Sequence, residues 1–152
     1  MTVFADSSAL VKLYADEPGA GLVRGIEHLG ASAVARVEVT AALARKGREA
    51  GTDAQELRDT HADFGLDWYG APGIARRFVV IGAGIELLER AAAIARALPL
   101  RAYDAIQLAS LETAIDAGVE IEAFACFDHG LREAAAERGH ALLPAALGPL
   151  NP

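Results

Sequence analysis

At 152 residues, with 53% hydrophobic and 23% charged side chains, the chain reads as one folded domain with ample material for a core, which excludes a disordered segment. No apolar run is long enough to span a bilayer, and Asp6 arrives before any basic stretch, so neither a membrane anchor nor a secretory leader is expected. The lone Cys126 suits a reducing, cytoplasmic setting, and the net charge of −7 argues against a surface coated in nucleic acid. Twelve of the 14 basic residues are Arg, which still allows local contact with a phosphodiester.

Thr2 to Ala5 is a short β-prone run that delivers a carboxylate at Asp6; Ala9, Leu10, Val11, Leu13 and Tyr14 then recur with helical spacing. After a break at Asp16-Glu17-Pro18-Gly19, a second short helix is predicted over Gly21 to Leu29, and Gly30 introduces a strand over Ala31 to Val34. Ala35 to Ala50 predicts a helix with a basic end at Arg45, Lys46 and Arg48, where cations complement the helix dipole. Asp53 and Glu56 have capping-box spacing and open a helix to about Trp68, whose many charges predict a peripheral, solvated place. Gly70 to Gly73 reads as a loop and Arg77 to Ile81 as a strand.

Gly84 to Leu98 predicts an amphipathic helix stopped by Pro99, and Arg101 to Ala117 a helix apolar on nearly every side. Ile121 to Phe127 reads as a strand ending on Asp128, followed by a short helix over Leu131 to Arg138 and a last strand over His140 to Leu143. The alternation predicts an α/β fold with a mostly parallel central sheet. Residues 1–143 read as a single domain and 144–152 as an irregular tail.

Four acids stand where acids are costly. Asp6 and Asp128 follow predicted strands, and parallel strands put both at the carboxyl edge of the sheet, where ligands bind in open α/β folds. Glu38 and Asp104 lie near helix starts among apolar neighbours, without an obvious Lys or Arg for either. Taken singly, Asp6 and Asp128 read equally as helix caps, and Glu38 and Asp104 as exposed helix residues. Taken together, they suit a shared Mg²⁺ or Mn²⁺, which prefers carboxylate and water oxygens. Without a cation such acids repel, and at least one is expected to keep its proton to unusually high pH. Ser8 either hydrogen-bonds one of these carboxylates or a water, or is only a hydroxyl at a helix start.

Asp6-Ser7-Ser8-Ala9-Leu10-Val11-Lys12-Leu13-Tyr14 resembles the opening of PIN-domain proteins, particularly the VapC-type toxins of bacterial toxin–antitoxin pairs. Ser32 followed by Glu38, Ala41, Ala42, Leu43 and Arg45 resembles their second motif. Leu100 to Ala109, around Asp104, matches the third, and Phe127-Asp128-His129-Gly130-Leu131, with Ala134 and Ala135, the fourth. The resemblance covers nearly the whole chain in order. It implies a three-layer α/β/α sandwich and a Mg²⁺- or Mn²⁺-dependent endoribonuclease whose acidic site maps onto Asp6, Glu38, Asp104 and Asp128. Asp6 and Asp104 would bind the cation directly, with Glu38 and Asp128 acting directly or through its waters. It further implies a homodimer and inhibition by a cognate antitoxin. The chain departs from the pattern at Cys126, where relatives often carry Ser or Thr, and at His129, where a basic residue is frequent.

Two other functions fit these residues: a PIN-like binding module with little catalysis, and a metal-dependent phosphatase. Gly82 and Gly84 after a strand mimic a dinucleotide fingerprint, but the third glycine would fall at Leu87, so a loop and helix start is expected. His28, His61, His129 and His140 lack zinc-ligand spacing and are expected at the surface. Arg45, Lys46 and Arg48 either hold RNA or simply form a solvated helix end; Trp68 and Tyr69 read as packing, an interface, or a stacking surface for a base.

Overall fold

Strand β1 (Thr2–Ala5) can sit in the middle of a sheet because both of its faces are apolar. The computed structural model describes residues 2–148. It places β1 between β2 (Leu29–Ser32) and β4 (Ile121–Ala125), with β3 (Phe78–Ile81) and β5 (Leu142–Leu143) at the edges, in the order β3-β2-β1-β4-β5. All four pairings are parallel. Every strand's carboxyl end therefore lies on one edge.

Side chains alternate across the sheet and sort into two cores. Val3, Ala5, Leu29, Ala31, Phe78 and Ala125 face a layer made of α1 (Ser7–Leu10), a 3₁₀ turn (Val11–Leu13), α2 (Ala20–Arg24), α3 (Ala35–Ala50) and α4 (Ala54–Tyr69). Phe4, Phe124 and Cys126 face the other layer, α5 (Ile85–Ala97), α6 (Ala102–Asp116) and α7 (His129–Glu137). This is the expected α/β/α sandwich. Gly30 stands opposite Phe4 in the register, and a Cβ there would come within 3.0 Å of the Phe4 ring, so the glycine makes room for a core aromatic.

Several boundaries differ from the sequence reading. The second helix stops at Arg24 instead of reaching residue 29, because Leu29 is buried and pairs with Val3 and Phe78 as the first residue of β2. That strand accordingly ends at Ser32, and Val34 already turns into α3. β4 stops at Ala125, three residues before Asp128, and β5 keeps only two of the four residues expected. The first helix tightens into a 3₁₀ turn after Leu10.

Helix α4 is capped by Asp53 as expected but is not simply peripheral. It buries Phe64 and Trp68, whose rings pack at centroid distances of 5.5 Å from each other and 5.7 Å from Trp68 to Phe78. Most of its charges occupy the outer face, while Asp67 is half-buried and accepts from the Tyr14 hydroxyl at 2.6 Å. Of the expected irregular tail, residues 144–148 carry no helix or strand; residues 149–152 lie outside the described residues. No helix among the described residues is long and apolar enough to cross a membrane.

Candidate active site

The carboxyl edge of the sheet gathers the four acids from four elements. Asp6 follows β1 directly and is buried, 4% exposed. It is the N-cap of α1, as the simpler reading held: Oδ1 accepts from the Ala9 amide at 3.0 Å and from the Ser8 hydroxyl at 2.7 Å. Its other oxygen, Oδ2, lies 3.4 Å from the Cys126 thiol. Burial pushes the Asp6 carboxyl up to about 6, against the hydrogen bonds from Ser8, Ala9 and Cys126 that favour its anion.

Ser8 does more than start a helix. While donating to Asp6, its oxygen accepts the Phe127 amide at 2.8 Å, tying β1's end to the loop beyond β4. Asp128 is exposed, and its Oδ1 caps α7 by accepting from Leu131 at 2.9 Å. The thiol of Cys126, buried between these acids, is 3.6 Å from the Asp128 carbonyl; burial and then the charge of Asp6 push its ionisation well up. It therefore stands as a neutral, weak donor. Arg132, 7% exposed, donates to the Cys126 carbonyl at 2.8 Å and to the Pro144 carbonyl at 2.8 Å.

Glu38 sits in the first turn of α3, half-buried, with Oε2 accepting from Ser7 at 2.6 Å and from the Gln107 amide at 2.7 Å. Asp104 sits in the first turn of α6. Burial raises its ionisation above the usual carboxylate range, and the charges of Asp128 and Glu38 raise it further, while Arg101 pulls the other way. The expected repulsion among the acids is therefore present, and none of the four has a salt bridge to Lys, Arg or His among the described residues.

Two depressions open onto this edge and meet at Phe127. One, of about 310 Å³, holds Asp104, Asp128, Arg101 and His129; the other, of about 530 Å³, holds Glu38, Ser7, Ser8 and the cations Arg45 and Lys46. Asp6, buried, lines neither of them. No three His, Cys, Asp or Glu side chains among the described residues converge closely enough to hold a metal ion together. The donor set fits Mg²⁺ or Mn²⁺ in one respect: it is all carboxylate, uncompensated, and open enough for such a cation to keep its waters and use one or two direct ligands. A larger groove, of about 740 Å³, lies between α5, α6 and α7, but its charges are engaged with each other, Arg90 with Asp116 and Arg138 with Glu112.

Sequence reasoning passed over Ser7 and Gln107. Gln107 is the one amide in the buried stretch Ala105 to Leu111, a signal that was available. Ser32, counted with the second motif, bonds Ser110 at 2.8 Å and none of the acids. Of the histidines, His28 and His129 are exposed, whereas His61 and His140 are half-buried, His140 at 3.4 Å from Glu112. Lys46 is paired with Glu17, and Arg45 reaches Glu49 only at 3.9 Å. Trp68 belongs to the core and Tyr69 is exposed, with the Arg36 guanidinium 5.5 Å from its ring centroid.

No protein-family model matches the chain. Two curated proteins of Mycobacterium tuberculosis do: Ribonuclease VapC45 of strain CDC 1551 and Ribonuclease VapC49 of strain H37Rv, each 34% identical over 151 residues, covering 97% of this chain and 98% of theirs. Similarity of that extent, on a parallel five-stranded sandwich with Asp6, Glu38, Asp104 and Asp128 at one edge, makes the chain a member of the VapC-type PIN-domain family.

Proposed function

We propose that the chain is the toxin of a toxin–antitoxin pair and an endoribonuclease that hydrolyses RNA phosphodiester bonds with the help of Mg²⁺ or Mn²⁺. The observation that carries this reading is the set of four carboxylates on one sheet edge, none with a salt bridge among the described residues, in a chain whose relatives are named ribonucleases. Bound there, a divalent cation supplies a water of lowered pKa and offsets the charge of the scissile phosphate.

The chain's own residues prepare that site. Asp6 is held in one orientation by Ser8, Ala9 and Cys126 at the end of β1. Glu38 and Asp128 each have one oxygen engaged by the protein, which leaves Glu38 Oε1 and Asp128 Oδ2 for a cation or its waters. Asp104 completes the set from the opposite layer. Arg45, at the rim beside Glu38 and only 3.9 Å from Glu49, offers a cation to the RNA backbone, whereas Lys46 is engaged by Glu17. Nothing in this chemistry needs a 2′-hydroxyl, so RNA as substrate follows from the relatives' names. A cognate antitoxin, a homodimer and a cytoplasmic setting belong to the same reading.

The test is purified protein incubated with total RNA in Mg²⁺ or Mn²⁺, beside EDTA and Asp6→Asn controls. Cleavage stopped by either control is expected. Cleavage surviving both would overturn the carboxylate–metal mechanism, and no cleavage of any RNA alongside tight antitoxin binding would favour a binding module instead. Cleavage of a phosphomonoester but not of RNA would make the chain a phosphatase.

A further inference from the structure

Gln107 is 2% exposed in the middle of an apolar helix face, and an amide is an expensive thing to bury there. Both of its N–H bonds are spent on one purpose: Nε2 donates to Glu38 Oε2 at 2.7 Å and to Ser7 Oγ at 2.8 Å, and Ser7 donates onward to the same Glu38 oxygen at 2.6 Å. Its carbonyl Oε1 is the single buried side-chain polar atom without a partner among the described residues. Turning the amide over would not repair this, because it would set Oε1 against the carboxylate and remove both donors. The side chain gives up one hydrogen bond so that its NH₂ faces an acid.

The three residues come from α1, α3 and α6, so the triangle crosses from one helix layer to the other over the carboxyl edge. With both donors on Oε2, rotation of the Glu38 carboxylate is arrested and Oε1 is the oxygen left for a ligand. We propose that Gln107 and Ser7 are positioning residues that orient Glu38 toward the divalent cation of the site. This rests on the metal-dependent reading above and extends it to two residues outside the acidic set.

The test measures binding of Mn²⁺ alone by calorimetry, together with thermal melts of the metal-free protein. Gln107→Met keeps the length and apolar packing of the side chain, removes the donors and also removes the orphaned acceptor. Its metal-free melting temperature is expected to hold or rise while its Mn²⁺ affinity falls by about tenfold or more, the range seen when a ligand's supporting hydrogen bond is lost. In a Glu38→Gln background, adding Gln107→Met is expected to change Mn²⁺ affinity no further. If Gln107→Met does not fold, Ser7→Ala, expected to weaken Mn²⁺ binding, and Ser7→Thr, expected to retain it, carry the same comparison.

A Gln107→Met protein that binds Mn²⁺ as tightly as wild type overturns the proposal and leaves the metal site standing. So does an equal loss in the Glu38→Gln background, which would mark a general structural effect. Wild-type protein that binds no Mn²⁺ overturns the metal reading itself, and the proposal with it.

Discussion

Asp6→Asn should stabilise the metal-free protein. Asp6 is 4% exposed, and burial raises its carboxyl from 3.8 to about 6 despite three donors. The difference is about 2 units, and at 1.36 kcal/mol per unit the ionised group costs the fold about 3 kcal/mol at neutral pH. The sign follows from proton counts. Between the unfolded and the folded value the native state binds more protons than the unfolded chain, so this contribution falls as pH rises. It is lost completely above about pH 6. Asparagine retains an oxygen for Ala9 and Ser8 and carries no charge, so it escapes the penalty. Urea unfolding followed by circular dichroism in EDTA at pH 4.5, 6 and 7.5 measures the effect. The variant's advantage should grow by about 2–3 kcal/mol across that series. A difference constant with pH would refute the reasoning. Mg²⁺ at a thousand times its Kd should reverse the order, since it adds about 4.1 kcal/mol to a protein that binds it.

Three other outcomes follow from the geometry. Native Cys126, buried and with its ionisation pushed up by burial and Asp6, should resist thiol reagents until the protein unfolds, and rapid stoichiometric labelling of native protein would contradict this. Gly70→Ala should cost about 1–3 kcal/mol in denaturant melts, because φ is +70° there and a Cβ would stand 2.6 Å from the Ile74 carbonyl oxygen. Burial would raise the Glu112 carboxyl, but hydrogen bonds from Arg138 and His140 outweigh it and hold the group low. Its contribution is therefore present above the unfolded value of 4.5 and lost as pH falls below it, so Glu112→Gln should lower stability modestly at neutral pH, change it little in acid, and so flatten the acid limb of the stability profile.

The layered fold was legible because strand and helix periods alternate cleanly along the chain, and long helices such as Ala35–Ala50 end where Gly51 tells them to. The errors cluster where a short segment's fate is decided by neighbours distant in sequence. Leu29 continues a helical pattern locally, yet it is claimed by Val3 and Phe78 across the sheet. Phe64 and Trp68 hid in a charged helix, because two buried rings one turn apart suffice to dock it. At the site, the four acids stood out as charges in apolar surroundings. Their supports did not: Ser7 and Gln107 are 100 residues apart and meet only when α6 is laid over the sheet edge. Cys126 was noticed as a departure from a pattern, but its contact with Asp6 needed the fold.

Arg132 has a consequence for how the chain tolerates change at its far end. Its guanidinium is a clasp, one arm on the carbonyl of Cys126 and the other on Pro144, with Ala145 at 3.4 Å, and it has no acid partner among the described residues. Shortening the chain to Leu143 would delete two of its three acceptors and leave a buried cation pulling on the loop that carries Asp128. An insertion between Leu143 and Pro144 would transmit the same slack. The segment after the last strand is thus mechanically part of the acidic edge, and a tag or fusion appended beyond Ala145 should spare what a cut two residues earlier would disturb.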